Sequence, residues 1–151
     1  MFVKIISALL ATVFIAILFQ VRKEHVLLTA IGGGIGSLIN ELMLALGCSS
    51  FVAVFVASLG LALYSEIMAR MRKTTVTTFL ISALFPLVPG AGMYYTMLEI
   101  VNNELDVALE TGVTTLSTAA LMALGILFVT TLSRVMFHSQ QKKNNRVEGN
   151  R

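Results

Sequence analysis

Five stretches of this chain are almost wholly apolar: residues 2–19, 26–46, 51–69, 76–98 and 113–137. Each comes close to or exceeds the roughly 20 apolar residues that a helix needs to cross a bilayer. The pattern therefore predicts an all-α, polytopic membrane protein with five transmembrane helices. Polar connections separate them: Arg22 to His25, Gly47 to Ser50, Arg70 to Lys73, and an acidic segment from Glu99 to Glu110. In that last segment Val101, Leu105, Ala108 and Leu109 recur at helical spacing, which predicts a short amphipathic helix lying at the interface. Residues 1–138 are read as one transmembrane domain, and Ser139 to Arg151 as a basic, frayed cytoplasmic tail. Lys4 precedes an apolar run, as in a signal peptide, but the run is longer than a usual h-region and ends without an A-x-A site, so it is read as a retained helix.

The fourth span is interrupted. Between Lys73 and Glu99 there is no charged residue, yet Pro86 and Pro89 lie inside the stretch. Each proline removes a backbone donor and clashes with the carbonyl four residues earlier, while Gly90 and Gly92 loosen the chain further. Irregular backbone at membrane depth survives only where protein or a water-filled cavity satisfies its polar groups. This predicts that residues 86–95 line a solute pathway. A helix restarting after Pro89 and Gly90 would offer open N–H groups and the positive end of its dipole to a small carboxylate, with the hydroxyls of Tyr94 and Tyr95 nearby. Pro86, Pro89, Gly90, Gly92, Tyr94 and Tyr95 are the substrate-binding candidates. A proline kink used only for packing, with the tyrosines in an aromatic belt, is the competing reading.

Small residues mark the helix contacts. Gly32 and Gly36, and likewise Gly33 and Ser37, are four residues apart, so a neighbouring backbone can approach closely in lipid. Ala53 with Ala57 and Ala119 with Ala123 form further pairs. The glycine run is not a dinucleotide fingerprint: Ser37 stands where a third glycine is required and no strand precedes it.

Composition agrees with the pattern. The 151 residues are 56% hydrophobic and only 13% charged, with mean hydropathy +0.85. A soluble domain carries about 25% charged residues. The formal net charge is +3, but the basic residues flank spans instead of forming a stripe with interleaved aromatics, which argues against nucleic-acid binding. Ten of the eleven Lys and Arg residues fall on one side if two spans separate each group, and Lys4 alone dissents. Positive-inside bias then predicts a plasma-membrane protein with its amino terminus outside and its carboxyl terminus in the cytoplasm. The same parity requires the broken segment to cross, because a re-entrant hairpin would send the tail to the opposite side from Arg70.

Ionisable residues within or beside spans are candidates for coupling or gating. Glu66 and Arg70 share a helix face and can pair, either as a plain interfacial ion pair or as a gate. Glu41, beside Asn40, lies about one turn from the end of its span and either faces the bundle interior or sits near the interface. Cys48 is the only cysteine, and His25 and His138 lie at span ends without a second ligand at metal spacing, so no metal and no cofactor are expected. No nucleophile with an oriented base is present, so an enzyme is not expected.

The order of features resembles the small integral-membrane subunit of the bacterial threonine/serine exporter family, whose members include dicarboxylate (succinate) exporters. The likeness rests on Ala69 and Arg70 closing the third span, the basic stretch after it, Pro86 to Gly90 followed by Tyr94, the glycine-rich second span, and Ala123 to Gly125 in the fifth; it covers about residues 5–135. One departure is Thr74, Thr75 and Val76, where members often carry a proline. The resemblance implies export of small amino acids or dicarboxylates together with a larger membrane subunit; lipid is the other neighbour, and self-association stays open. Two rivals remain: a structural or assembly subunit that touches no substrate, and a holin-like pore.

Overall fold

The computed structural model describes the backbone of residues 2–148 and the side chains of residues 3–135. It contains helices α1 (Phe2–Leu18), α2 (Lys23–Ala45), α3 (Ser50–Met71), α4 (Val76–Leu84), a 3-10 turn (Phe85–Leu87), α5 (Gly90–Val101) and α6 (Leu105–Glu148), with no strand among the described residues. α2, α3 and the Leu105–Val135 part of α6 are each long and apolar enough to cross a membrane. The pair Val76–Leu87 and Gly90–Val101 meets the same test together, and α1 is a shorter apolar helix. The protein is a polytopic helical membrane protein.

Helix ends follow one local rule. Gln20, Gly47, Lys73 and Asn103 all adopt positive φ just past a helix. At each, the next N–H reaches back to the carbonyl five residues earlier: Val21 to Ala16, Cys48 to Met43, Thr74 to Ala69 and Glu104 to Glu99. These are Schellman closures, which satisfy the last carbonyls and reverse the chain within a few residues. Asn at the left-handed position after α5 explains a difference from the sequence expectation. The acidic segment does not form a separate interfacial helix; Asn102 and Asn103 make a tight turn, and Leu105 to Glu110 become the first turns of α6.

Contacts between helices set the direction of each. Gly33 packs against Thr12 and Gly34 against Leu9, so α1 and α2 are antiparallel. Tyr64 Oη donates to Leu28 O at 2.8 Å, and Gly60 lies against Ile39, so α2 and α3 are antiparallel too. α4 follows α2 in parallel: His25 meets the Phe79 ring, Gly32 meets Ala83, and Gly36 meets Leu87 in the 3-10 turn. Gly125 against Ser58 and Ser133 beside Arg70 make α6 parallel to α3. Gly92 against Thr115 and Gly112 against Thr96 make α5 antiparallel to α6. α4 thus starts at the end marked by Arg22 and Lys73, and α5 continues toward the opposite end after a bend of 49°. That bend is far from the reversal a hairpin needs.

The interior is built from small side chains. Ala16, Ala53, Ala57, Leu61, Ala62 and Phe79 are fully buried, together with Thr12, Thr29, Ser58 and Ser65. In lipid, where apolar burial gives helices little reason to associate, such residues let backbones approach and pack. Large apolar side chains such as Phe14, Leu18, Leu63, Leu116 and Phe128 point outward, as a lipid-facing surface requires. The small pairs behave differently from one another. Ala53 and Ala57 are buried, but Ala123 is exposed, and the packed face of α6 passes through Thr115, Met122 and Gly125. The helix rotates that way because Gly125 alone allows the approach to the Phe55 carbonyl of α3. α6 starts at Leu105 instead of residue 113 and its backbone continues to Glu148; the side chains of the expected tail, and His138, lie outside the described residues.

Candidate functional site

The break between α4 and α5 has a defined backbone. Pro89 adopts φ −75° and ψ 57°, close to an inverse γ-turn, and the Gly90 N–H donates to Val88 O at 2.7 Å. The Gly90 donor expected to be open at the helix restart is therefore taken. Met93 N–H reaches Pro89 O at 3.2 Å, and no side chain caps α5. The N–H groups of Ala91 and Gly92 are the ones left at the restart. Pro86 belongs to the 3-10 turn whose Leu87 is buried against Gly36.

Gly92 faces α6, so closely that a Cβ there would run into the Thr115 side chain. Gly90 instead has open space where a Cβ would point. Tyr94 and Tyr95 stack edge-on at 5.5 Å and are 64% and 53% exposed, outside the seam between α5 and α6. Within that seam Thr96 Oγ1 donates to Gly92 O at 2.8 Å and Thr111 Oγ1 to Glu99 at 3.2 Å.

The three ionisable candidates occupy two ends of the bundle. Glu41, near the end of α2, accepts from Lys4 Nζ at 2.8 Å. The single basic residue on the wrong side of the charge count is thus neutralised by a carboxylate. Glu66 and Arg70 pair at 3.0 Å at the opposite end, on α3. Glu66 is only 7% exposed, and Ser133 of α6 donates to the same carboxylate oxygen at 2.7 Å while accepting from Arg70 at 2.5 Å. The three groups form an interhelical clamp, tying α3 to α6. Of the packing candidates, Gly32, Gly33 and Gly36 contact α3 and α4, α1, and the 3-10 turn with α3, respectively, while Ser37 is half-buried.

A cavity of about 320 Å³ opens at the same end as Arg70, between the α1–α2 turn and the first turns of α4. Gln20, Arg22, His25, Thr74, Thr77, Thr78 and Ser82 supply its polar lining, and Phe19, Val21 and Ile81 the rest. His25 is 5% exposed, and its Nδ1 is buried without a hydrogen-bond partner among the described residues.

The family model described as threonine/serine exporter, ThrE, matches residues 4–132, from the start of α1 to the last turns of α6 that pack on α3. The chain belongs to the threonine/serine exporter family. No curated protein and no solved structure matches it. In this member of the exporter family the cavity residues lie outside the candidates that the sequence points to, among which His25 figures only as a possible metal ligand. A signal was present: Arg22 and His25 are three apart at a helix start, and Thr74, Thr77 and Thr78 repeat at helical spacing at another.

Proposed function

We propose that this chain is one subunit of a secondary-active exporter that moves small amino acids such as threonine and serine, or dicarboxylates, across the plasma membrane together with a larger membrane subunit. The observation that carries this reading is the broken helix that keeps its direction through Pro86 to Gly92, inside a chain matched to an exporter family over residues 4–132. Discontinuous helices near the bilayer midplane are where secondary transporters bind solutes. Coupling to a proton or voltage gradient is part of the proposal, motivated by the lack of a nucleotide-binding motif in the sequence.

Gly90 provides the test. A Cβ there meets nothing within 4 Å, so Gly90→Leu is expected to keep the protein level unchanged and to abolish efflux of threonine, serine or succinate from loaded vesicles. Unchanged efflux sinks the pathway reading and leaves the assembly role, which the packing of Gly92 on Thr115 favours.

In this reading the end with Arg22, Arg70, Arg72 and Lys73 faces the cytoplasm. Cys48, in the α2–α3 turn, then faces outward. A membrane-impermeant maleimide should label it in intact cells, while Cys48→Ser blocks labelling. Labelling of the wild type only after lysis reverses the orientation.

A further inference from the structure

We propose that the groove between α3 and α6, from Leu59 and Phe128 to Arg70 and Ser133, binds an anionic glycerophospholipid, with one acyl chain in the groove and the phosphate at its basic end. The site goes beyond the exporter reading and holds whether or not the chain transports.

The groove follows from how the two helices meet. At Gly125 the α6 backbone lies directly on Ser58 and the Phe55 carbonyl, with no side chain of its own between them. Further along, the same helices are joined through the side chains of Glu66, Arg70 and Ser133, which bridge a wider separation. A cleft of about 390 Å³ opens between these two contacts. Leu59, Leu63 and Ile67 form its α3 wall, Phe128 and Leu132 its α6 wall, and the Glu66–Arg70–Ser133 clamp its end. Leu63, Ile67, Phe128 and Leu132 are exposed.

Length selects the occupant. From Leu59 to Arg70 the helix rises about 16 Å at roughly 1.5 Å per residue, close to half of the roughly 30 Å hydrocarbon core. An acyl chain of one leaflet has that reach, and its phosphate then lies level with Arg70. A helix of another subunit crosses the whole core, so half of it would find no groove.

Charge selects the headgroup. Arg72, Lys73 and Arg134 follow the clamp within three residues and are exposed. Glu66 is the only acid between Glu41 and Glu99, and α6 has none from Thr111 to Val135. The Glu66 carboxylate already accepts from Arg70 and Ser133. This end of the groove therefore carries surplus positive charge at the depth of lipid phosphates, which long basic side chains reach while their stems stay in hydrocarbon. A choline headgroup would bring a further cation there; phosphatidylglycerol brings none. Topology alone accounts for basic residues at this end but not for an apolar groove leading to them.

The chain contains no tryptophan, so a single introduced indole reports its own lipid neighbours. Phe128→Trp exchanges one exposed aromatic for another in the groove, and Phe14→Trp does the same on α1, outside it. The full chain, with any subunit that accompanies it, is reconstituted in vesicles of phosphatidylcholine and phosphatidylglycerol, with quenching bromine on the acyl chains of one lipid or the other and wild-type emission subtracted. Phosphatidylglycerol should be favoured about fivefold at Phe128→Trp, the equivalent of about one basic contact, and much less at Phe14→Trp. Leu132→Trp, in the same groove, should give the same ratio as Phe128→Trp. Adding Arg72→Gln and Arg134→Gln should bring the ratio close to one with helical circular dichroism unchanged. An equal preference at the groove and at Phe14→Trp means general attraction to a basic surface and overturns the site, as does a preference that the two glutamines leave unchanged. Quenching at Phe14→Trp with none at Phe128→Trp puts a protein helix over the groove and overturns it too.

Discussion

Gly125→Leu is expected to separate α6 from α3 and to leave little folded protein. A Cβ at residue 125 would collide with the Ser58 hydroxyl and come within 3.2 Å of the Phe55 carbonyl. Ser58 can change rotamer, but the carbonyl belongs to helix backbone and cannot. Overpacking a well-fitted contact costs about 1–3 kcal/mol where side chains can adjust; here the cost should reach or pass the upper end. The thermal midpoint in detergent would fall sharply, and the cells would accumulate less of the chain. Ser58→Ala in the same chain should restore only part of the loss, because the Phe55 carbonyl stays in place. Gly60→Leu offers the comparison: its obstacle is the far end of the Ile39 side chain, which can turn away, so its effect should be smaller. Equal effects at the two positions would show that backbone proximity is not what limits residue 125.

Glu66→Ala is expected to produce the second largest loss. The carboxylate lies between Arg70 and Ser133 and is the acceptor that both α3 and α6 use. Removing it takes one carboxylate from the Arg70 guanidinium and leaves the Ser133 hydroxyl, still accepting from Arg70, without the oxygen it donates to. Hydrogen bonds to charged groups contribute about 1.5–3 kcal/mol, and the partial exposure of Arg70 reduces that through solvent screening. A loss of roughly 2 kcal/mol is expected, against about 1 for Ser133→Ala. Glu66→Gln should fall between them, since the amide oxygen still accepts one bond. Thermal unfolding of the three variants checks the order. If Ser133→Ala matches Glu66→Ala, the hydroxyl and not the charge holds the two helices together.

The residues that could be read correctly from their order were those whose role depends on near neighbours. Pro86 and Pro89 remove backbone donors wherever they stand in a helix, so the interruption of the fourth apolar stretch followed from local chemistry. Long uncharged runs required helices in lipid for the same kind of reason. Glu66 and Arg70, four apart, had to share a face. Family resemblance also came from the order of local features, and the match over residues 4–132 agrees with it.

Other assignments needed the packed bundle, because they depend on partners distant in the chain. Lys4 departs from the charge pattern, and the group that offsets it is Glu41, 37 residues away in the chain. Gly90 and Gly92 read alike in sequence, yet one faces open space and the other Thr115 of α6. Ala119 and Ala123 had the right spacing for a contact, but the rotation of α6 is set by Gly125 and the backbone of α3. Arg22 and His25 became parts of a cavity only when the start of α4 came to lie beside them. Spacing reports which residues share a face; it does not report what that face meets, and the chemistry of this protein's cavity depends on what α2 and α4 meet at their common end.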